Sequence, residues 1–303
     1  MLMQMNTETD FGEVTVEVKG GKIRIERERS VINPSISKIE PSLAIWRNQV
    51  SYRAGDRPIR SGNGLCGVFV GFNPEYPFLD DYIETDTIHS ASCINLAINI
   101  FEFYPKLFDI YEQFRIISVL KDHDLGESER GDKADDGSTE HKEKFKIELE
   151  EFVRKIQYHT EEFQDVLIKD FIMFEHADSL EWDERSREIF QFAKLVDKTD
   201  ALLSAFIYEK QGRKGSLLYK KKHFGGITGQ DQYYSDQTRE YSQAGIWSAH
   251  MIDHYKDYKN LKIFVDIVVA ACRDVRGMVF PWFWEFLEKR DVFTEEERKT
   301  YVG

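Results

Sequence analysis

Cysteine is scarce in this chain: three in 303 residues, Cys66, Cys93 and Cys272, none of them in a Cys-x-x-Cys pair. An odd, scattered set excludes a disulfide framework and speaks against a multi-cysteine structural zinc site. Proline is sparse, with seven residues, most of them between 34 and 77, and glycine numbers only 19. That composition excludes a loop-rich or low-complexity protein. Apolar runs stay short of the roughly 18 residues a spanning helix needs, so no membrane partner is expected. Positive charge is in deficit: 41 Lys and Arg face 54 Asp and Glu, giving a net charge of −13. A field of that sign repels nucleic-acid polymers. It leaves room for a small phosphate ester whose charge is met locally. The first residues, Met-Leu-Met-Gln-Met-Asn-Thr-Glu, turn acidic at once and do not read as a signal peptide. A soluble, cytoplasmic protein is the expectation.

Apolar residues make up 41% of the chain, enough for a sizeable core, and 22 Phe and 14 Tyr suit bulky helix–helix packing. Residues 13–27 read as a β-hairpin: Val14, Val16 and Val18 alternate with polar residues, Lys19–Lys22 turn, and Ile23 and Ile25 resume the alternation. The proline-rich stretch 30–80 reads as short helical and irregular pieces, including Ser42–Tyr52. Its glycine-rich segment 60–71 lacks the Gly-Lys-Ser/Thr of a phosphate loop. From about Thr87 the pattern is helical: 87–103, 108–123, 143–158, 161–175, 183–209, 238–258 and 261–275. The expected partition is 1–80 as an N-terminal extension, 81–235 as a helical core, and 236–303 as C-terminal helices packed on it. The aromatic group Phe280–Phe286 is read as packing or as a homodimer contact.

Chemistry concentrates in 121–132, Lys-Asp-His-Asp-Leu-Gly-Glu-Ser-Glu-Arg-Gly-Asp. Adjacent imidazole and carboxylate at His123 and Asp124 are donors a divalent ion takes from one piece of backbone. His123 falls seven, four and three residues after Ile116, Val119 and Leu120, on the buried stripe of its helix. One further helical turn would put Glu127 on the same face as His123, where a carboxylate can handle a water proton. The remaining donors must come from other helices. His89 shares a face with Cys93, Leu96, Ala97 and Ile100, and is either capped by a carbonyl or bound to a metal. Asp200 lies on a stripe with Ala193, Val196, Leu203 and Ile207, where a carboxylate needs a cation or a core arginine. Asp197 has more polar neighbours and reads as a surface residue. The polar run 127–144 suits a solvated loop or a lid beside the motif. The basic cluster from Lys210 to His223 suits a solvated loop or a lure for phosphate.

His89, His123-Asp124 and Asp200 together resemble the HD-domain metal-dependent phosphohydrolase superfamily. His123-Asp124-x-x-Glu127-x-x-x-Gly131-Asp132 resembles its 5′-deoxynucleotidase-like branch, and Lys194–Leu202 is similar to that branch's distal Asp segment. The resemblance spans roughly 85–210. It implies a mainly α fold: an HD-domain helical bundle, here with an N-terminal β-hairpin extension and extra C-terminal helices. It also implies one divalent metal (Mn, Co, Fe, Zn, Ni or Mg) on His89, His123, Asp124 and Asp200, with Glu127 and Asp132 as acid and base. The substrate implied is a small phosphate monoester, a (deoxy)nucleoside 5′-monophosphate, cleaved by an activated water; no substrate-binding residue is assigned. The rivals are a two-metal HD phosphodiesterase using His159 or His176, and a non-catalytic helical interaction protein with a structural metal.

Overall fold

The protein is described by a computed structural model over residues 2–29, 69–70, 86–127, 141–210, 214–215, 251–252 and 254–274. The described chain is mainly helical, with one small N-terminal antiparallel sheet. It divides into two compact units. The first comprises Met1–Arg53 and Glu84–Lys194, the second Ala54–Ile83 and Leu195–Gly303. The cuts differ from the expected ones at 80 and 235.

In the first unit, β1 (Leu2–Thr9), β2 (Gly12–Lys19) and β3 (Lys22–Arg29) form a meander in the order β1-β2-β3. The expected hairpin is β2–β3, with Val16 opposite Ile25 and Val18 opposite Ile23. Gly20 and Gly21 turn it with φ of 55° and 71°, the conformation a two-residue hairpin turn demands. The sequence reading missed β1. Its alternation rests on Met3, Met5 and Thr7, and the two methionines are weaker strand formers than the valines that face them.

Helix α1 spans Asp86–Phe103, α2 Ile110–Asp122, α3 His141–Ile156 and α4 Glu161–Glu175. Helix α5, Glu184–Lys210, contains the division between the units. Asp109 caps α2: its Oδ1 accepts from the Tyr111 and Glu112 amides at 2.9 Å, and Glu112 returns a bond to the Asp109 amide at 2.9 Å. This capping box sets where α2 starts, and hence where its last turn delivers His123. Arg185 ion-pairs with Glu112, holding its carboxyl below the usual range and fastening α5 to the same helix end.

The sheet is no appendage. Met5, Val14, Val16 and Val18 share a core with Leu125, Phe145, Leu149, Phe152, Leu167, Ile168 and Phe171. Each such side chain stabilises by about 1.5–3 kcal/mol when fully buried. Phe152 stacks on Phe171 with centroids 4.4 Å apart, and Arg27 of β3 reaches Asp165 of α4 at 2.6 Å. Helix α1 buries one face, through His89, Cys93, Ala97, Ile100 and Phe101, and leaves Ile98 and Phe103 exposed.

In the second unit, β4 (Phe69–Val70) pairs antiparallel with β5 (Lys214–Gly215). Helix α6, Leu261–Asp274, buries Leu261, Phe264, Val265, Val268 and Val269, a 3.6-residue stripe. Asp197, read as a surface residue, is buried, as is Thr199, whose hydroxyl lies 3.7 Å from Met251 Sδ. No described helix is long and apolar enough to cross a membrane. Most of the proline-rich stretch 30–80, residues 128–140 of the polar run, most of the basic cluster, residues 238–250 and the aromatic group 280–286 lie outside the described residues.

Candidate metal centre

Helix α2 ends at Asp122, with His123 as its C-cap. The further helical turn that would set Glu127 on the face of His123 does not form. The chain turns at 123–124 and enters a 3₁₀ turn, Leu125–Glu127. Gly126 explains the break. A Cβ there would fall on the carbonyl oxygen of Glu148, so the turn lies backbone to backbone against α3. Leu125, buried in the sheet–helix core, pins it. The end of α2 and this turn together leave His123 and Asp124 beside His89 of α1.

His89 is fully buried on the first turns of α1, and Cys93 stands one turn further along the same face, also fully buried. Cys93 Sγ lies 3.5 Å from His89 Nε2 and 3.7 Å from His89 Nδ1. His123, 5% exposed, meets His89 edge-on with ring centroids 5.3 Å apart. Asp124 bridges them: Oδ1 is 3.2 Å from His123 Nε2 and Oδ2 is 3.8 Å from His89 Nε2. One donor atom each from His89, Cys93 and His123 lies within 4.8 Å of the others.

The hydrogen bond from His123 Nδ1 to the Leu120 carbonyl, 2.9 Å, places a proton on that nitrogen and leaves Nε2 aimed at Asp124. Metal-ligating histidines are oriented in this way. Two acceptors 3.2 Å apart need a proton or a cation between them. Tetrahedral ligands held at 2.0–2.3 Å are spaced about 3.3–3.8 Å from one another, near the 3.5 Å between Cys93 and His89 and the 3.2 and 3.8 Å from Asp124 to the two imidazoles. The donors thus fit a divalent ion. His123 is wedged on its other side by Phe174, centroid distance 5.3 Å, which in turn carries the Lys194 ammonium 3.9 Å above its ring.

A second acid stands nearby. Glu148 of α3 ion-pairs with Lys144 at 3.2 Å, yet burial pushes its carboxyl up to about 7, with Glu175 and Asp124 adding to the rise against the lysine. An acid poised near neutrality is the type of group that transfers protons. The sequence reading passed over both Cys93 and Glu148. Cys93 carried a signal, His and Cys four apart on a buried face. Glu148 carried one too, a carboxylate between Phe145 and Phe152 on the buried stripe of α3.

Of the expected site residues, the structure brings together His89, His123 and Asp124. Asp200, 3% exposed, belongs to the second unit. The backbone of Glu127 forms the 3₁₀ turn; its side chain and the whole of Asp132 lie outside the described residues. His159 and His176 both stand at helix ends, edge-on to Phe163 and Phe145 respectively. No family model matches the chain, and no curated protein or solved structure matches it significantly. The functional reading therefore rests on these residues.

Proposed function

We propose that the chain is a metal-dependent phosphohydrolase of the HD-domain type, its helices an HD bundle, acting on a small phosphate monoester, a (deoxy)nucleoside 5′-monophosphate. The observation that supports it is the meeting of His89 with His123-Asp124 across 34 residues, with Asp124 3.2 and 3.8 Å from the two imidazoles and the His89 and His123 donor atoms within 4.8 Å of each other. His89, His123 and Asp124 would hold the ion, with Asp200 as the distal carboxylate of the motif. When bound, the ion supplies a Lewis acid toward a phosphoryl oxygen and offsets its charge. Glu127 takes a proton from the attacking water. Asp132 donates one to the departing sugar oxygen as the P–O ester bond breaks, leaving phosphate and nucleoside.

Phosphate release from ribo- and deoxyribonucleoside 5′-monophosphates, with Mn, Co, Zn or Mg added, tests this. Wild type should turn over. Glu127→Ala should lose about 10²–10⁴-fold in rate while keeping its metal. A second reading, a metal that only ties α1 to the end of α2, is favoured by the near-complete burial of His89, Cys93 and His123. Metal bound with no phosphate released from any ester would select it.

A further inference from the structure

His89 and Cys93 are spaced i, i+4, the interval that sets two side chains side by side on one helical face. Both are fully buried, and their nearest donor atoms are 3.5 Å apart, the edge length of a tetrahedron with one metal–nitrogen and one metal–sulfur arm. Opposite them stand His123 Nε2, oriented by Leu120, and the two Asp124 oxygens. We infer that Cys93 is itself a ligand, so that the first unit alone supplies a complete His89, Cys93, His123, Asp124 donor set. The inference rests on the metal-binding part of the reading above and narrows which ion the site takes. A thiolate softens the set. It favours Zn²⁺, Co²⁺ or Fe²⁺ over Mg²⁺ and Mn²⁺, which a purely imidazole and carboxylate set would accept more readily. The balance is simple: the Cys93 S–H bond breaks, the sulfur–metal bond forms, and one proton leaves to solvent.

Cobalt substitution reads the sulfur directly. Co²⁺ added to the reduced, metal-free full chain should give visible cobalt bands together with an intense near-ultraviolet thiolate-to-cobalt band. The sulfur band should persist in Cys66→Ser and in Cys272→Ser, and vanish in Cys93→Ser while the visible bands remain. Zn²⁺ affinity of Cys93→Ser should fall by at least the ~10–100-fold that loss of a supporting group costs a metal site. Circular dichroism and Cys93→Ala check that the fold survives; the wild-type, Cys66→Ser and Cys272→Ser spectra decide the matter even if neither Cys93 variant folds. Bound cobalt without the sulfur band, or with a band that disappears in Cys66→Ser or Cys272→Ser, overturns the role of Cys93 and leaves the metal centre standing. Failure of Co²⁺, Zn²⁺ and Mn²⁺ alike to bind overturns both.

Discussion

The sheet-facing core and the His cluster lie at opposite ends of one short turn, and they are built on opposite terms. Leu125, in the turn, enters a core of stacked rings and branched side chains in which each group gains by leaving water. His123 and Asp124, just before it, enter a cluster of two imidazoles, a thiol and a carboxylate, in which Asp124 lies 3.2 and 3.8 Å from the imidazoles and Cys93 3.5 Å from His89. Burying those groups costs free energy unless a proton or cation joins them. The first region should therefore govern whether the unit folds, and the second what it binds.

Phe152→Ala offers the largest contrast. It should cost about 3–5 kcal/mol in denaturant unfolding and leave metal affinity per folded molecule unchanged. His123→Ala should do the reverse, abolishing metal binding measured by calorimetry at little cost to the metal-free fold. Gly126→Ala should hurt both regions. Its methyl meets the Glu148 backbone, an overpacking cost of about 1–3 kcal/mol, and the displaced turn should weaken metal binding. Gly20→Ala, where nothing lies within 4 Å, should show only the backbone penalty of about 1–2 kcal/mol for its φ of 55°. Unequal metal affinity in the core variant would break the comparison.

A charge-based contrast sharpens it. Asp170 is a buried acid and Glu148 a half-buried one; both carboxyl pKa values are raised, desolvation being the main cause in each. Arg115 holds Asp170 at 2.6 Å, and Arg115→Ala should cost about 2 kcal/mol, below the range for fully buried pairs because the arginine is partly open to solvent. Glu148 has Lys144 against two carboxylates. Its folded-state pKa lies above its unfolded value of 4.5, so the protonated form stabilises the fold. That contribution is fully present below pH 4.5 and fades as pH rises toward about 7. In chelator, Glu148→Gln should flatten this window in a stability–pH profile and be the more stable protein at pH 8, by an order of 2 kcal/mol. An unchanged profile would remove Glu148 from the electrostatics of the turn. The smallest effect expected is at Lys262, whose exposed pair with Asp266 at 3.1 Å should contribute about 0.3–0.5 kcal/mol when broken by Lys262→Ala.

Much of this was legible in order along the chain. Helix limits expected at 87–103, 108–123 and 161–175 fall within two residues of Asp86–Phe103, Ile110–Asp122 and Glu161–Glu175. Amphipathic spacing is a local signal that the backbone obeys locally. The His-Asp doublet was legible for the same reason, as adjacent residues on a buried stripe. The failures share a cause. The 3₁₀ turn that follows α2 was not legible, because nothing in the spacing of 123–127 dictates it; α3 lying against Gly126 does. Asp197 was read as exposed from its polar neighbours, although the residues that cover a side chain come from elsewhere in the chain. Strand β1 was missed because Met3 and Met5 carry little strand preference of their own and become strand residues here by pairing with Val18 and Val16.

The sequence by itself determined the helical elements, the hairpin turn at Gly20-Gly21, the scarcity of thiols and the presence of a His-Asp pair, because each depends on residues within a turn or two of one another. Only the tertiary structure decided that His89, Cys93, His123 and Asp124 share one pocket, and that Glu148 stands near it as an acid titrating at about 7. Donor spacing and desolvation depend on which helices pack together, and that is set by the whole core.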